Sequence, residues 1–461
     1  MRHLLRFFLP LTLAASAAEP RLLDPRDAKG PTVIWSTALG YTGTMTVAGD
    51  AILVGSNDNG ASIDAMEAKN WTHVVKLRTR LLQNTECAMV CLDARTGALR
   101  WRSVHPGVTN RHMGIPGYAI TSKPWVEANR AYFLTTGWEL VCCDMAGFHD
   151  GKNDGPFTEE TAKGETDADI IWKLDLRKDL GVTPCGAGDV SYVQSAPVVM
   201  GDLVYVVTGH GPNSDGTIAD APSFIAVDKM TGRVAWTSNA PGKNIAQFQG
   251  GSPVALPDAG EIVFPGGDGC LYGFDAKSGK QHWKSDFNAL GGTKGLYFET
   301  QPLVAGGALI ASLRLYVERG PQRGAPLIAI APGASPKVKW IFGKDLNGFW
   351  PQMLLQDGVV YASSARNILH ALDPGTGAER WRLPLGHDGV GGAGLQIGGG
   401  KGKLYVTNED GDFFIVRPGD KPALLATFNL QEMPAEYGRA TLCKHGLCVP
   451  TREGVLMLRL P

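Results

Sequence analysis

The stretch Ile225-Ala226-Val227-Asp228-Lys229-Met230-Thr231-Gly232, with Trp236 after it, is one of four copies of a single phrase. Val90-Cys91-Leu92-Asp93-Ala94-Arg95-Thr96-Gly97 precedes Trp101. Tyr272-Gly273-Phe274-Asp275-Ala276-Lys277-Ser278-Gly279 precedes Trp283, and His370-Ala371-Leu372-Asp373-Pro374-Gly375-Thr376-Gly377 precedes Trp381. In every copy three residues separate Asp from Gly, and three separate Gly from Trp. The apolar run reads as a strand buried on both faces. The Asp side chain can bond backbone N–H groups two residues on and open a turn. The Gly supplies the positive φ that a bulged hairpin needs. The Trp then starts the next strand and buries a flat surface against a neighbouring unit.

A second phrase precedes each of these. Ala196-Pro197-Val198-Val199-Met200-Gly201-Asp202-Leu203-Val204-Tyr205-Val206 reads as a hairpin with a two-residue turn. Comparable turns fall at Gly49-Asp50, Ala128-Asn129, Gly306-Gly307, Asp357-Gly358 and His445-Gly446. Hairpin, turn, hairpin, recurring at roughly 40–50 residues, is the signature of a propeller blade.

Eight such units follow, near 42–104, 117–176, 193–238, 248–286, 299–342, 350–384, 391–429 and 438–461. The second is degenerate: Leu140-Val141-Cys142-Cys143-Asp144 matches, but Trp172 arrives only after an insertion. The fifth ends in Trp340 without the Asp, and the eighth stops after Gly454-Val455-Leu456-Met457-Leu458. Val33-Ile34-Trp35 reads as the strand it lacks, Trp35 standing in for the absent tryptophan. Pairing the first and last segments closes the ring and removes its edges. The expected fold is therefore an all-β, eight-bladed β-propeller with four antiparallel strands per blade. Seven blades is the alternative if one weak unit is a linker.

Length does not divide the chain, since large all-β folds use such lengths as one unit. One domain is expected over 19–461, with insertions at about 57–87 and 145–169. Arg2 and Arg6, the apolar run Phe7 to Ala15 and the small residues Ala15-Ser16-Ala17 read as a signal peptide over 1–18. No cysteine sits there to carry a lipid, and no later run reaches the roughly 20 apolar residues of a membrane span. The expectation is a periplasmic or secreted monomer. Formal net charge is −1, or −3 without Arg2 and Arg6, so no basic face for nucleic acid is foreseen.

The Asp-x-x-x-Gly-x-x-x-Trp phrase resembles the repeat of quinoprotein alcohol dehydrogenases and of their non-catalytic relatives, among them a propeller lipoprotein of outer-membrane assembly. Asp144-Met145-Ala146-Gly147-Phe148-His149-Asp150-Gly151, Ala168-Asp169-Ile170-Ile171-Trp172-Lys173-Leu174-Asp175 and Phe264-Pro265-Gly266-Gly267-Asp268-Gly269 add a likeness to exported propellers with PQQ-binding-like repeats. The resemblance implies the fold over nearly the whole mature chain. Function does not follow from fold.

Under the dehydrogenase reading, pyrroloquinoline quinone (PQQ) and Ca²⁺ would sit on the axis. That chemistry needs a calcium-binding Glu and Asn, an Asp base, an Arg near the quinone and a Trp floor. Glu139, His210, Asn213 and Arg366 lie in turns that could reach one face, but they do not assemble that set. Some members also place adjacent disulfide-linked cysteines over the quinone. Cys142-Cys143, however, occupy a regular strand, where successive side chains diverge. Asp150-Gly151-Lys152-Asn153-Asp154-Gly155 fails as a calcium loop, with Lys third and Thr161 in the bidentate position. Cys443 and Cys448 flank the His445-Gly446 turn at what reads as a non-hydrogen-bonded pair, which predicts a cross-strand disulfide. Cys87, Cys185 and Cys270 have no evident partner, and Asn70-Trp71-Thr72 is a formal glycosylation triplet. No catalytic, cofactor or metal residue is assigned. The expected role is non-catalytic binding of a protein or polymer ligand through the two insertions, which equally read as tolerated surface loops.

Overall fold

The computed structural model describes residues 21–22, 31–40, 42–57, 86–107, 119–183, 195–213, 216–245, 250–291, 296–298, 301–315, 326–333, 336–343, 353–364, 367–386, 394–430, 435 and 438–460. Those residues form eight antiparallel sheets arranged as the repeats foretell. Thr42–Ala48, Ala51–Ser56, Glu86–Asp93 and Leu99–Pro106 are the four strands of blade 1, inner to outer. Blade 2 runs from Trp125–Glu127 to Ile170–Asp175, blade 3 from Val198–Met200 to Val234–Ser238, and blade 4 from Val254–Leu256 to Gln281–Asp286. Blade 5 runs from Leu303–Ala305 to Lys337–Phe342, blade 6 from Met353–Gln356 to Glu379–Pro384, and blade 7 from Gln396–Gly400 to Ala423–Asn429. Arg21–Leu22 adds a short parallel strand to the outer edge of blade 7.

Blade 8 is built from both ends of the chain. Thr441–Cys443, Gly446–Pro450 and Gly454–Arg459 supply three strands, and Thr32–Ala38 pairs antiparallel with the last as its outer strand. The apolar core is divided accordingly into eight clusters, one between each pair of successive blades and one across the closure. A flat sheet buried on both faces explains the unbroken apolar runs: Phe224–Val227 and Leu140–Cys143 are buried at every position.

The Asp-Gly-Trp phrase docks successive blades at several interfaces. Asp93 Oδ1 accepts from the N–H groups of Arg95 and Thr96, both at 3.0 Å, and Asp228 and Asp373 repeat the pattern. Gly97, Gly232, Gly279 and Gly377 have φ of 74°, 73°, 68° and 71°, a conformation open to glycine. A one-residue bulge before each Trp re-aims the fourth strand. The Trp then lies on the glycine of the following blade and bonds the carbonyl one residue past its Asp. Trp101 Nε1 donates to Met145 O at 2.9 Å, Trp172 to Lys229 O at 3.0 Å, Trp236 to Ala276 O at 2.9 Å and Trp340 to Pro374 O at 3.0 Å.

Two details depart from the expectation. Trp283 turns back onto its own blade and donates to Glu261 Oε2 at 3.2 Å, because blade 5 offers no Asp-Gly turn to receive it. In the last hairpin the two-residue turn is Lys444-His445, not His445-Gly446. Cys443 therefore faces Gly446 and Cys448 faces Thr441, so the two cysteines are diagonal neighbours and both are free thiols. The expected disulfide rested on a register one residue away from the real one.

Candidate functional site

The Asp-Gly turns and the inner hairpin turns share one side of the ring, here the turn side. Ala51 pairs with Asp93 and Ser56 with Ala88, so the connection after Ser56 leaves from the opposite, open side. The two insertions thus depart from opposite ends of their blades. Most of 57–87 lies outside the described residues, as do the signal segment 1–18, Asn70, Cys185 and Arg366. The segment 145–169 is described throughout.

This segment is a built feature. It begins on the tryptophan platform, with Gly147 against the Trp101 ring. Arg102 N donates to Thr166 O and Ala168 N to Arg102 O, both at 2.9 Å, laying residues 166–168 along the outer edge of blade 1. Gly164 N bonds Asp167 Oδ2 at 2.8 Å, Asp154 N bonds Asp169 Oδ2 at 2.8 Å, and Phe157 N bonds Ile171 O at 3.1 Å. Lys173 Nζ stands 5.0 Å over the Phe157 ring. Between residues 150 and 167 the segment carries six carboxylates against two lysines, so it is acidic. Glu159 and Glu165 are exposed and have no cationic partner among the described residues. Asp150, expected in a solvated loop, closes a short 3-10 turn over Gly147–Asp150 and accepts from Lys152 N at 2.9 Å. No three His, Cys, Asp or Glu side chains gather at metal-binding distances among the described residues.

Between blades 1 and 2, on the open side, lies a cavity of about 600 Å³ lined by Pro106, Gly137, Glu139, Asp175, Arg177 and Thr183 among others. Glu139 lines it. Burial raises the pKa of that carboxyl, but the hydrogen bond from His105 and the charge of Lys173 outweigh it and hold the group below its ordinary range. His105 Nδ1 lies 2.9 Å from Glu139 Oε2, and its Nε2 lies 2.7 Å from Ser103 Oγ. The Ser–His–Glu order is that of a nucleophile relay. Ser103 and His105 are each 3 % exposed, however, and Ser103 faces Cys143 rather than the cavity. His370 repeats the arrangement between Glu379 and Ser364 in blade 6, equally enclosed. Both arrays read as fully bonded core histidines.

Two cations stand on the open side. Lys123 and Arg439 precede the inner strands of blades 2 and 8. Arg439 Nη1 donates to Met353 O at 2.9 Å, reaching blade 6 past blade 7. Burial lowers both pKa values, that of Arg439 to about 10, and the charge of Arg439 lowers Lys123 further. Neither residue supplies the carboxylate or amide oxygens that a Ca²⁺ site needs.

The remaining candidates have structural roles. Cys142 packs into the interface of blades 2 and 3, and Cys143 into that of blades 1 and 2, so their sulfurs diverge as alternation requires. Burial raises both thiol pKa values, that of Cys142 to about 12. His210 is buried with its pKa lowered by desolvation; Nδ1 accepts from Thr183 N at 3.1 Å and Nε2 donates to Ala219 O at 3.0 Å. Asn213 bonds Thr217 at 3.0 Å. The acidic edge segment, by contrast, could be seen in the sequence only as an insertion. Its docking on Arg102 is a long-range pairing that no local pattern announces.

These features define a PQQ-like β-propeller: the repeat, the eight blades and the ring closure all agree. Its repeat and fold are those of PQQ-like β-propellers. The family model described as outer membrane protein assembly factor BamB matches residues 159–383. The chain resembles the crystal structure of BamB from Moraxella catarrhalis, at 15% identity and TM-score 0.55, covering 93% of this chain and 97% of that one. It resembles quinohemoprotein alcohol dehydrogenase from Comamonas testosteroni at 12% identity and TM-score 0.56, covering 96% of this chain and 79% of that one. The computationally designed Ika8 protein aligns at 10% identity and TM-score 0.54, over 94% and 100%. Identities this low carry the fold alone. No curated protein matches in sequence.

Proposed function

We propose that this protein is an exported, non-catalytic propeller that holds a protein or polymer ligand against the outer edge of blades 1 and 2. The observation that carries the reading is the acidic segment 145–169, fixed to the strand Leu99–Pro106 by backbone bonds and presenting Glu159 and Glu165 without cationic partners among the described residues. A pre-organised edge lowers the ordering cost of binding. Its charge selects a basic ligand segment. Export is supported by the sequence pattern of residues 1–18. No helix among the described residues is long and apolar enough to cross a membrane.

The test uses the mature chain and a short polylysine peptide as the basic probe. Saturable binding at 0.15 M salt, lost on Glu159→Lys with Glu165→Lys, is the expected result. Binding unchanged by the double reversal would remove the reading. Stoichiometric PQQ binding in Ca²⁺, with dye reduction, would replace it with dehydrogenase chemistry.

A further inference from the structure

The ring closure leaves one interface without its platform. In blade 2, Tyr132 Oη donates to Lys229 O at 3.3 Å, and Arg130 Nη1 reaches the Lys229 and Met230 carbonyls at 3.3 Å. In blade 3, Tyr205 Oη donates to Ala276 O at 3.0 Å. Each acceptor lies on the turn joining the third and fourth strands of the following blade. Blade 8 has no such turn: its third strand ends at Arg459, and its fourth enters from the other end of the chain at Thr32.

Blade 7 therefore faces a gap. Ala426 pairs with Ile415 where Trp236 pairs with Ala226 in blade 3, so the docking indole is missing. Lys403 occupies the place of Arg130, and Tyr405 that of Tyr132 and Tyr205. Tyr405 is 1 % exposed and lines the gap, and its hydroxyl makes no hydrogen bond among the described residues. A phenol O–H lining the gap is a donor available to an acceptor placed there.

The gap is a cavity of about 320 Å³ whose polar lining is Lys401, Lys403, Tyr405, Lys444, His445 and Arg459. Lys444 and His445 are both bonded to Asp50 of blade 1, at 2.7 Å. Lys401, Lys403 and Arg459 have no ion pair among the described residues, and no carboxylate lines the cavity. The three cations offer donors only, and the phenol adds an O–H donor. They fit a compact, multiply charged acceptor better than a single planar carboxylate.

We infer that the seam between blades 7 and 8 is a binding site for a phosphate group, free or carried on a larger molecule. The guanidinium of Arg459 and the ammonium of Lys403 neutralise it, and Tyr405 Oη donates to it from the floor. The site is independent of the acidic edge at blades 1 and 2.

Calorimetry of the mature chain with inorganic phosphate in 0.15 M NaCl tests the first source. Sedimentation with phosphatidic acid vesicles, against phosphatidylcholine vesicles, tests phosphate on a lipid. Saturable one-to-one binding in either arm is expected, weakened roughly tenfold or more by Arg459→Gln or Lys403→Gln. Tyr405→Phe should weaken it several-fold without lowering the melting temperature in phosphate-free buffer. Lys401→Gln, at an exposed hairpin tip, serves if Arg459→Gln does not fold. Absence of saturable binding in both arms, or binding that these variants leave unchanged, overturns the inference.

Discussion

The indole N–H of Trp35 donates to the carbonyl oxygen of Ala94 across 3.2 Å, and the ring lies on Gly97, so the strand Thr32–Ala38 latches blade 8 onto blade 1. The same contact is made at other interfaces by a tryptophan from within its own repeat. Here it joins the two ends of the ring. Trp35→Ala should lower stability by about 2–4 kcal/mol, the range for loss of a large, partly buried aromatic. Trp35→Phe, which keeps packing but loses the hydrogen bond, should lose about 1 kcal/mol. Ile34→Ala, at an exposed neighbour, should stay within about 0.5 kcal/mol. Urea unfolding of the three variants measures this. Equal effects at 34 and 35 would mean that the latch is not Trp35.

Gly377 and Gly358 separate docking from backbone strain. Both have φ of 71°, so alanine is strained equally at each. A Cβ on Gly377 would stand 2.5 Å from Cδ2 of Trp340, whereas nothing lies within 4 Å of one on Gly358. Gly358→Ala should cost about 1 kcal/mol, the left-handed penalty alone. Gly377→Ala should cost about 2–4 kcal/mol more, because the indole must leave its platform. Unfolding midpoints decide, and Trp340 fluorescence should shift red only in the second variant. Equal losses would show that the indole does not need the bare glycine.

The repeats could be read in the sequence because each Asp-Gly-Trp unit is local: turn, bulge and docking aromatic lie within nine residues. Even the closure could be read, since Val33-Ile34-Trp35 supplies the strand and the tryptophan that the eighth unit lacks. What could not be read lies in relations between blades. Trp283 carries the full phrase yet docks on Glu261, because the missing partner is a turn in the next blade. The Lys444-His445 turn was hidden because Gly446, which suggests a turn position, instead opens the following strand beside Leu458 O. The basic cavity behind Tyr405 exists only because a turn is absent, and an absence has no motif.

Asp169 should make the fold less stable as pH rises. It is 1 % exposed, and its Oδ1 has no hydrogen-bond partner while Oδ2 accepts from Asp154 N. Burial first, and then the nearby carboxylates Glu160, Asp154 and Asp144, raise its pKa to about 6 against the Asp154 N–H bond. A carboxyl whose folded pKa exceeds its unfolded value of 3.8 stabilises the fold in its protonated form. That contribution is complete below pH 4 and lost as pH rises through 6. Asp169→Asn stays neutral throughout. It should match the native protein near pH 4 and exceed it by about 1–3 kcal/mol at pH 7.5. Asp93, held near 2 by the hydrogen bond from Arg100, has the opposite sign but is common to both proteins and cancels. A gap between variant and native protein that does not widen from pH 4 to 7.5 would refute the shift.

Cys443 and Cys448 should behave as two unlike thiols. With the turn at Lys444-His445 they sit diagonally on one face, Cys443 opposite Gly446 and Cys448 opposite Thr441. Cys448 is fully buried with its Sγ 3.3 Å from Met45 Sδ, and burial, with the neighbouring Cys443, pushes its pKa up. Cys443 is half-buried and lines the cavity between blades 7 and 8. A maleimide should therefore label Cys443 in the native protein and reach Cys448 only after unfolding, because the thiolate is the reacting form. The stability of Cys443→Ser separates this arrangement from a cross-strand disulfide without relying on reagent access. A free thiol at 443 makes that change nearly neutral, within about 0.5 kcal/mol. A bond to Cys448 would make it destabilising by about 2–4 kcal/mol and would protect both cysteines from alkylation until reduction.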